Sequence, residues 1–471
     1  MKGVSGIRGV VGRGMTPQVA LDFTSAFVTY LRRQGHQHPK ILLARDTRPT
    51  GDMMRHAILS GLLAGGAHVL DLGIATTPTL QYAIPYHKAD GAICITASHN
   101  PVEWNALKFF APSGMYLDKA QGQQVLDLAN QAEQGQPDFD FATWESMGRV
   151  DADDAATSRH LHAVLDYIDA EAIRAQKFKV VLDGCCGAGN VISPALIREL
   201  GCELIHINAD LSGHFPHPPE PLNENLAQLA HAVKEHGADI GFAHDADADR
   251  VAMVTDEGAP IGEDYSLVWA VAHVLKNRRQ GPVVTNLSTT MAVEAVARQY
   301  GCQTFRSPVG DVNVSGMMRD VGAVIGGEGN GGVIMPDFQF GRDGIAALGL
   351  TLESLAVSGQ SAAEFNRSLP RFSISKGTVE FEVGDNRERF KRLADWLKSR
   401  EKAASSDERD GLKLLWEERG EVVSWAHIRP SGTEPFVRVI CEARTPEESR
   451  RTQKAMRDEI QAFDLGFPAH G

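Results

Sequence analysis

The sequence predicts an α/β protein: three tandem, related α/β domains followed by a smaller α+β domain. Three observations carry that expectation. A strand–loop–helix–glycine–strand unit starts near residues 41, 180 and 283, too widely spaced for a solenoid, whose period is about 20–50 residues. At about 150 residues per domain, the chain of 471 residues allows three or four domains. After residue 371 the texture changes to charged helices alternating with short strands, as in a compact α+β unit.

The elements follow in order. Thr16-Pro17 supplies an N-cap and a proline for the first helical turn, and Phe23, Phe27, Tyr30 and Leu31 then share one face. Ile41-Leu42-Leu43-Ala44 reads as a strand, Met53 to Ala64 as a helix stopped by Gly65-Gly66, and His68-Val69-Leu70 as the returning strand. The second copy runs from Lys179-Val180-Val181-Leu182 through a Gly-rich loop and a helix to Gly201-Cys202 and Glu203-Leu204-Ile205. The third runs from Pro282-Val283-Val284 through a helix to Gly301-Cys302 and Gln303-Thr304-Phe305. Polar stretches at 130–158 and 358–377 read as joints, and the expected domains are 1–150, 151–254, 255–370 and 371–471. In the last, Arg387 to Arg400 reads as a charged helix and Ser399 to Arg409 as solvated surface.

Composition excludes several classes. With 43% hydrophobic and 23% charged residues the chain is an ordinary globular one, not disordered and not collagenous. The balance of 47 Lys+Arg against 60 Asp+Glu, net −13, argues against a nucleic-acid or anionic-membrane partner. It leaves anionic small molecules open, because those answer to local arginines. Six cysteines form neither a Cys-x-x-Cys pair nor a secreted framework. The N-terminal MKGVSGIRGVVG lacks the apolar core of a signal peptide, and no run of about 18 apolar residues occurs, so a cytoplasmic location is expected.

The densest chemical signal is His244-Asp245-Ala246-Asp247-Ala248-Asp249-Arg250. Alternate carboxylates converge on one point and suit a hard divalent cation. An EF-hand would need glycine at its sixth position and glutamate at its twelfth, where Arg250 and Asp256 stand, and the flanks read as strands. Three carboxylates leave coordination positions for a phosphate oxygen, so one Mg²⁺ is the natural occupant, with an ordinary acidic turn as the bland alternative.

The second signal is Thr96-Ala97-Ser98-His99-Asn100-Pro101, after the apolar strand Gly91-Ala92-Ile93-Cys94-Ile95. Loops at strand ends are where open α/β sheets place active residues. Ser98 is therefore a candidate nucleophile or phosphate carrier, although the stretch is also good turn chemistry. Lys108 is a possible general acid or base, or a surface lysine beside an apolar strand. A third stretch, Gly326-Gly327-Glu328-Gly329-Asn330-Gly331-Gly332, lets backbone approach a ligand and offers Glu328 and Asn330 to hydroxyls or amines, or is a plain hairpin turn. A fourth, Arg429-Pro430-Ser431-Gly432-Thr433 with Arg438, has the makings of a phosphate cradle, without the lysine of a nucleotide P-loop. Gly3-Val4-Ser5-Gly6-Ile7-Arg8-Gly9 is a weaker Gly-rich loop bearing one arginine.

Together and in this order, these stretches resemble the α-D-phosphohexomutase family, and the resemblance spans Gly3 to about Arg438. It implies three related α/β domains with mixed sheets and a smaller fourth. It implies catalytic roles for Ser98, Lys108, Arg8, Arg250 and His99. Ser98 would carry the phosphoryl group, Lys108 would shuttle a proton, and Arg250 and Arg8 would stabilise the transferring group. Asp245, Asp247 and Asp249 would hold one Mg²⁺ together with an oxygen on Ser98. Glu328 and Asn330 would face the sugar; Arg429, Ser431, Gly432, Thr433 and Arg438 would bind the phosphate that does not react. A hexose or hexosamine 1,6-bisphosphate would act as intermediate and activator, turning end for end in the site. Asn330, Gly310-Asp311 and the N-terminal Ser-Gly-Ile-Arg-Gly-Val-Val are most like archaeal-type phosphoglucosamine mutases, so glucosamine phosphate is the expected substrate, with mannose or glucose phosphate next. A monomer or homodimer is expected. Two other classes compete: a metal-dependent sugar phosphatase, with no use for a second phosphate cradle, and a Ca²⁺-dependent sugar-binding protein, with no use for Ser98 or Lys108.

Overall fold

The computed structural model describes residues 2–3, 6–381, 387–430 and 436–466. Within them the chain forms four sheets, of seven, four, five and five strands. The first three repeat one arrangement. In the first, Lys40–Arg45 and His68–Ile74 pair in parallel across the helix Gly51–Ala64. Gly91–Ile95 joins in parallel on the other side of Lys40–Arg45, and Trp104–Phe110 then returns antiparallel. The second sheet does the same with Lys179–Asp183, Glu203–Ile207, Ile240–His244 and the antiparallel Val251–Thr255. The third uses Val283–Asn286, Thr304–Ser307, Ile325–Glu328 and the antiparallel Gly332–Met335. The three expected β–α–β units are thus parallel pairs in mixed sheets. The turn from third to fourth strand is, in each copy, one of the motif loops: residues 96–103, 245–250 and 329–331.

Local rules explain the elements. Thr16 caps the helix Pro17–Arg33 by accepting from the Val19 amide at 3.2 Å, and Pro17 occupies its first turn. Gly65 ends Gly51–Ala64 where a Cβ would stand 2.2 Å from Val28, so the two helices can cross closely only over glycine. Phe27 and Phe109, 5.0 Å between ring centroids, anchor the first core. The second and third units share one core, in which Val164, Leu182, Phe242, Trp269, Ile325 and Leu348 belong to a single cluster. The helix Gly344–Ser358, buried through most of its length, welds them together. The last sheet is wholly antiparallel, and Leu393, Leu397, Met456, Ile460 and Phe463 of two helices cover it. No helix among the described residues is long and apolar enough to cross a membrane.

Two expected joints are more than joints. Arg149–Ala152 is a parallel strand at the edge of the first sheet, beside His68–Ile74, and it lies across the expected 150/151 boundary. All four of its residues are exposed, so it has no alternating apolar pattern to read. Likewise Ser373–Glu380, which begins inside the 358–377 stretch, is the first strand of the last sheet. Ser405–Asp407, expected as plain solvated surface, is that sheet's exposed edge strand.

The domains are bolted by buried polar groups. Asp343 is fully buried, accepts from the Ile345 and Ala346 amides at 2.9 Å each as helix cap, and meets His160 Nε2 at 2.9 Å. His160 Nδ1 in turn meets Thr79 of the first domain at 2.9 Å. On the other flank, Glu442 of the last sheet accepts from the Met291 amide at 2.8 Å and Trp425 Nε1 at 2.6 Å, while Lys413 Nζ donates to the Leu287 carbonyl at 2.6 Å. Removing one partner of a buried pair strands the other, at a cost of about 3–5 kcal/mol. Asp343→Ala should therefore lower the thermal unfolding midpoint by several degrees in calorimetry, whereas Ser406→Ala on the exposed edge should leave it within about one degree.

Candidate functional site

The serine loop hangs from the fully buried strand Gly91–Ile95. Ser98 has φ +48°, a left-handed conformation that an L-residue holds only when its surroundings fix it. Those surroundings are Asp46 and Arg48. Thr96 Oγ1 accepts from the Ser98 amide at 3.0 Å and donates to Asp46 at 2.7 Å. Arg48, fully buried, donates to the carbonyls of Ser98 (2.7 Å), Asn100 (2.6 Å), Pro101 (2.6 Å) and Trp104 (3.1 Å), and through Nε to Asp46 at 3.0 Å.

Ser98 Oγ donates to Asp245 at 2.6 Å. Asp245, Asp247 and Asp249 are buried, with carboxylate oxygens all within 4.8 Å of one another. Lys108 Nζ lies 2.7 Å from Asp247 and 3.6 Å from Asp249, and Thr77 Oγ1 donates to Asp247 at 2.5 Å. Arg342 Nη2 donates to Asp249 at 2.6 Å; Arg250 Nε sits 3.9 Å from Asp245 and 3.7 Å from Asp249. Burial, with Asp249 and Asp247 alongside, pushes Asp245 well above the usual carboxylate range. Burial acts on Asp247 too, but Lys108, Thr77 and Arg342 together outweigh it and hold that carboxyl below its ordinary value. Burial pulls Lys108 down, but Asp247, Tyr116 and Asp249 together outweigh it and raise its pKa well above the ordinary lysine value. One oxygen each of Asp247 and Asp249 is buried without a hydrogen-bond partner. Two orphaned, anionic oxygens beside a third carboxylate and a serine hydroxyl make an all-oxygen donor set, which fits a hard divalent cation such as Mg²⁺.

His99 neighbours this cluster. Burial and Arg250 lower its pKa to about 2, so the imidazole is neutral. Arg8, on Gly6–Val10, reaches the Asn100 side chain at 3.5 Å.

In the glycine loop, Glu328 is buried at the end of its strand and accepts from Asn286 Nδ2 at 2.8 Å and the Gly310 amide at 2.9 Å. Arg342 joins it at 3.2 Å and also touches Asp311 at 3.0 Å. At Glu328 burial is outweighed by Arg342, Asp311, Asn286 and the Gly310 amide together, which lower its pKa, while Asp311, which burial dominates, is pushed well above the carboxylate range. Asn330 closes its own turn by accepting from the Gly332 amide at 3.2 Å.

Arg429 and Arg438 stand directly opposite each other on neighbouring strands of the last sheet. Like charges so placed repel, and Asp410, 3.0 Å from Arg429, offsets only that one. Ser431, Gly432 and Thr433 lie outside the described residues.

The structure brings these groups to one cleft of about 1080 Å³, walled by all four domains. Arg8, Ser98, His99, Lys108, Arg250, Glu328, Asn330, Arg429 and Arg438 line it, together with Arg342 and Lys376. The chain carries net negative charge, yet among the described residues its cleft is lined by eight Arg or Lys side chains against four Asp or Glu. Sequence reasoning missed Asp46, Arg48, Thr77 and Arg342. The first two had a readable signal: Arg45-Asp46-Thr47-Arg48 follows an apolar strand, the rule that singled out Ser98. Arg342 had none, because its partners lie on segments 14, 31 and 93 residues away. A lysine cannot bridge several carbonyls as a guanidinium does. Arg48→Lys should lower kcat about tenfold to a hundredfold, a loss of about 1.4–2.8 kcal/mol in the barrier, with KM moving less than about twofold; steady-state kinetics checks both.

Comparison with known proteins agrees along the whole length. The chain matches the family profiles for phosphoglucomutase/phosphomannomutase alpha/beta/alpha domain I over residues 1–136, domain II over 158–258, domain III over 263–372 and the C-terminal domain over 379–459. It is 37% identical over 449 residues to a phosphoglucomutase/phosphomannomutase of Thermococcus kodakarensis, covering 95% of each chain. It is 35% identical over 459 residues to a probable phosphoglucosamine mutase of Methanopyrus kandleri, covering 97% of this chain and 96% of that one. Among solved structures it is similar to a phosphoglucomutase/phosphomannomutase family protein from Burkholderia thailandensis, with TM-score 0.82, 27% identity and 99% of each chain covered.

Proposed function

This chain belongs to the phosphoglucomutase/phosphomannomutase family and is a mutase enzyme, and from that premise we propose that it interconverts glucosamine 6-phosphate and glucosamine 1-phosphate through phosphorylated Ser98 and a 1,6-bisphosphate. The observation that carries the reading is the placement of Ser98 Oγ, 2.6 Å from Asp245 in a buried acidic cluster, in the same cleft as the opposed Arg429 and Arg438. One end of the cleft thus has a carrier, and the other an anion site.

Arg429 and Arg438 hold the phosphate that does not react and so place the free hydroxyl at Ser98. Glu328 and Asn330 orient the sugar. The hydroxyl oxygen bonds to phosphorus as the bond to Ser98 Oγ breaks; the hydroxyl gives up a proton and Ser98 Oγ takes one, with Lys108 Nζ as the group exchanging it. Arg8 and Arg250 neutralise charge on the transferring phosphoryl, where fixed positive groups matter most. Asp245, Asp247 and Asp249 hold Mg²⁺, which when bound supplies charge neutralisation at the phosphoryl oxygens. The bisphosphate then turns end for end, and either phosphate fits the same arginines. Free 1,6-bisphosphate would rephosphorylate Ser98 and so act as activator.

Relatives named as probable phosphoglucosamine mutases, together with Asn330 and Asp311 at the sugar end, support the amino sugar. The second reading, mannose or glucose phosphate, rests on the relative named phosphoglucomutase/phosphomannomutase. Comparing kcat/KM on glucosamine, mannose and glucose 6-phosphates decides between them, and a preference of tenfold or more for either neutral sugar would replace the amino-sugar reading. A phosphatase would release inorganic phosphate instead.

Ser98→Ala should abolish turnover by several orders of magnitude; intact-mass spectrometry should find a single added phosphate on the wild type and none on the variant, and added 1,6-bisphosphate should not restore activity. Asp247→Asn should weaken Mg²⁺ binding in calorimetry by at least tenfold and, because it strands Lys108 Nζ, 2.7 Å away, lower the unfolding midpoint by several degrees. Arg429→Ala should raise KM about tenfold to a hundredfold, as loss of a charge-assisted contact of about 1.5–3 kcal/mol implies, and should let 1,6-bisphosphate escape during turnover.

A further inference from the structure

Asp410 occupies the turn that leads into the strand Leu412–Glu418 of the last sheet. The next residue, Gly411, takes φ +83°, and a Cβ there would stand 2.3 Å from the Ile428 carbonyl and 3.1 Å from the Arg429 Cα. Glycine is what lets this turn lie so close to the strand that carries Arg429. Asp410 is thereby delivered to the side of that arginine. Its carboxylate, 20% exposed, accepts from Arg429 Nε at 3.0 Å. The same carboxylate reaches across to the third domain and accepts from the Val309 amide at 3.0 Å.

Arg429 needs a holder. Arg438 stands directly opposite it on the next strand, so repulsion favours swinging the side chain out, and a free arginine has many rotamers to recover by doing so. A guanidinium held at Nε has its plane fixed and can still present its terminal nitrogens as a fork, the geometry in which arginine binds phosphate. Asp410 thus restrains Arg429 through the one nitrogen that lies outside the fork.

The holder is itself moored. The Asp410 carbonyl accepts from His427 Nε2 at 2.6 Å, and Ser288 Oγ lies 2.8 Å from His427 Nδ1. Burial, with Lys413 and Arg429 nearby, lowers the His427 pKa to about 4, so the ring is neutral. A carbonyl only accepts, which puts the ring's one proton on Nε2 and leaves Nδ1 to accept from the Ser288 hydroxyl. Ser288 and Val309 both belong to the third domain, so side chain and backbone of Asp410 are tied across the same seam. The Val309 anchor is fixed in its turn, because the following amide, of Gly310, donates to Glu328 at 2.9 Å. Ser288, Val309, Glu328 and Arg429 all line the cleft.

On the reading above that Arg429 holds the phosphate that does not react, we propose that Asp410 is a positioning residue for the reaction: moored to Val309 and Ser288 of the third domain, it aims Arg429 at that phosphate. Asp410 itself touches no substrate, and its effect passes through Arg429. Losing it therefore weakens binding as a loosened arginine does, and changes nothing further once the arginine is gone.

The test is a double-mutant cycle in steady-state kinetics, with glucosamine, mannose or glucose 6-phosphate, whichever the wild type uses best. Asp410→Ala should raise KM about tenfold and change kcat by less than about threefold, because the phosphate is held alike in ground and transition states. Asp410→Asn keeps an acceptor for the Val309 amide and loses the charge beside Arg429; it should raise KM about threefold to tenfold, and it carries the cycle if the alanine variant does not fold. In the Arg429→Ala background either change should move KM by less than about twofold, which a general loosening of the domain would not reproduce. A KM that stays within about twofold of wild type in both Asp410 variants overturns the proposal. Effects that multiply with that of Arg429→Ala overturn it too, since Asp410 would then act on its own. If Arg429→Ala itself leaves KM unchanged, Arg429 holds no phosphate: that reading fails, and with nothing for Asp410 to position this inference fails with it.

Discussion

Three carboxylates gathered within 4.8 Å and buried cannot stand without compensation. At an effective dielectric near 20, each like pair at that separation costs roughly 3–4 kcal/mol. Much of the molecule's layout follows from meeting that cost. Lys108 comes from the first domain, Arg250 from the second and Arg342 from the third, and each reaches the cluster by way of its own sheet. The domains are held in register because their charges must converge. Two acceptor oxygens still lack partners, so the cluster is balanced for a cation rather than complete without one.

The three motif loops are the same structural feature repeated. Each joins the third, parallel strand of its sheet to a fourth, antiparallel strand, and each bends the chain back at the end of a buried strand. Ser98 and Ala248 take positive φ in the first two, and Gly331 in the third. A single folding solution thus delivers three different turns to a common centre. The difference lies in what each turn presents: a hydroxyl, alternate carboxylates, or glycines that leave room for a ligand.

The fourth domain adds a further wall to the cleft. Its sheet presents two facing arginines to the cleft, and Glu442 and Lys413 grip the loop between Leu287 and Met291. Asn286, next to that loop, holds Glu328. The sheet that carries Arg429 and Arg438 is therefore tied to Glu328 through one short segment.

What the sequence determined by itself was local and periodic. The three β–α–β units, the Thr16-Pro17 helix start, the glycine stops and the four loops were all legible, because helix caps, apolar runs and alternating carboxylates are written in neighbouring residues. Ser98 and the three aspartates stood out for the same reason. Tertiary structure alone decided the rest. Arg48 acquires its role from carbonyls about 50 residues away, and Arg342 from carboxylates on three segments. The fusion of the second and third units into one core depends on a helix whose apolar surface, read linearly, names no partner. The edge strand Arg149–Ala152 is invisible to pattern because exposure on both faces removes the alternation by which strands are read. Charge and hydrogen-bond complementarity act through space, and a linear sequence records only which groups exist, not which of them the fold brings within 3 Å.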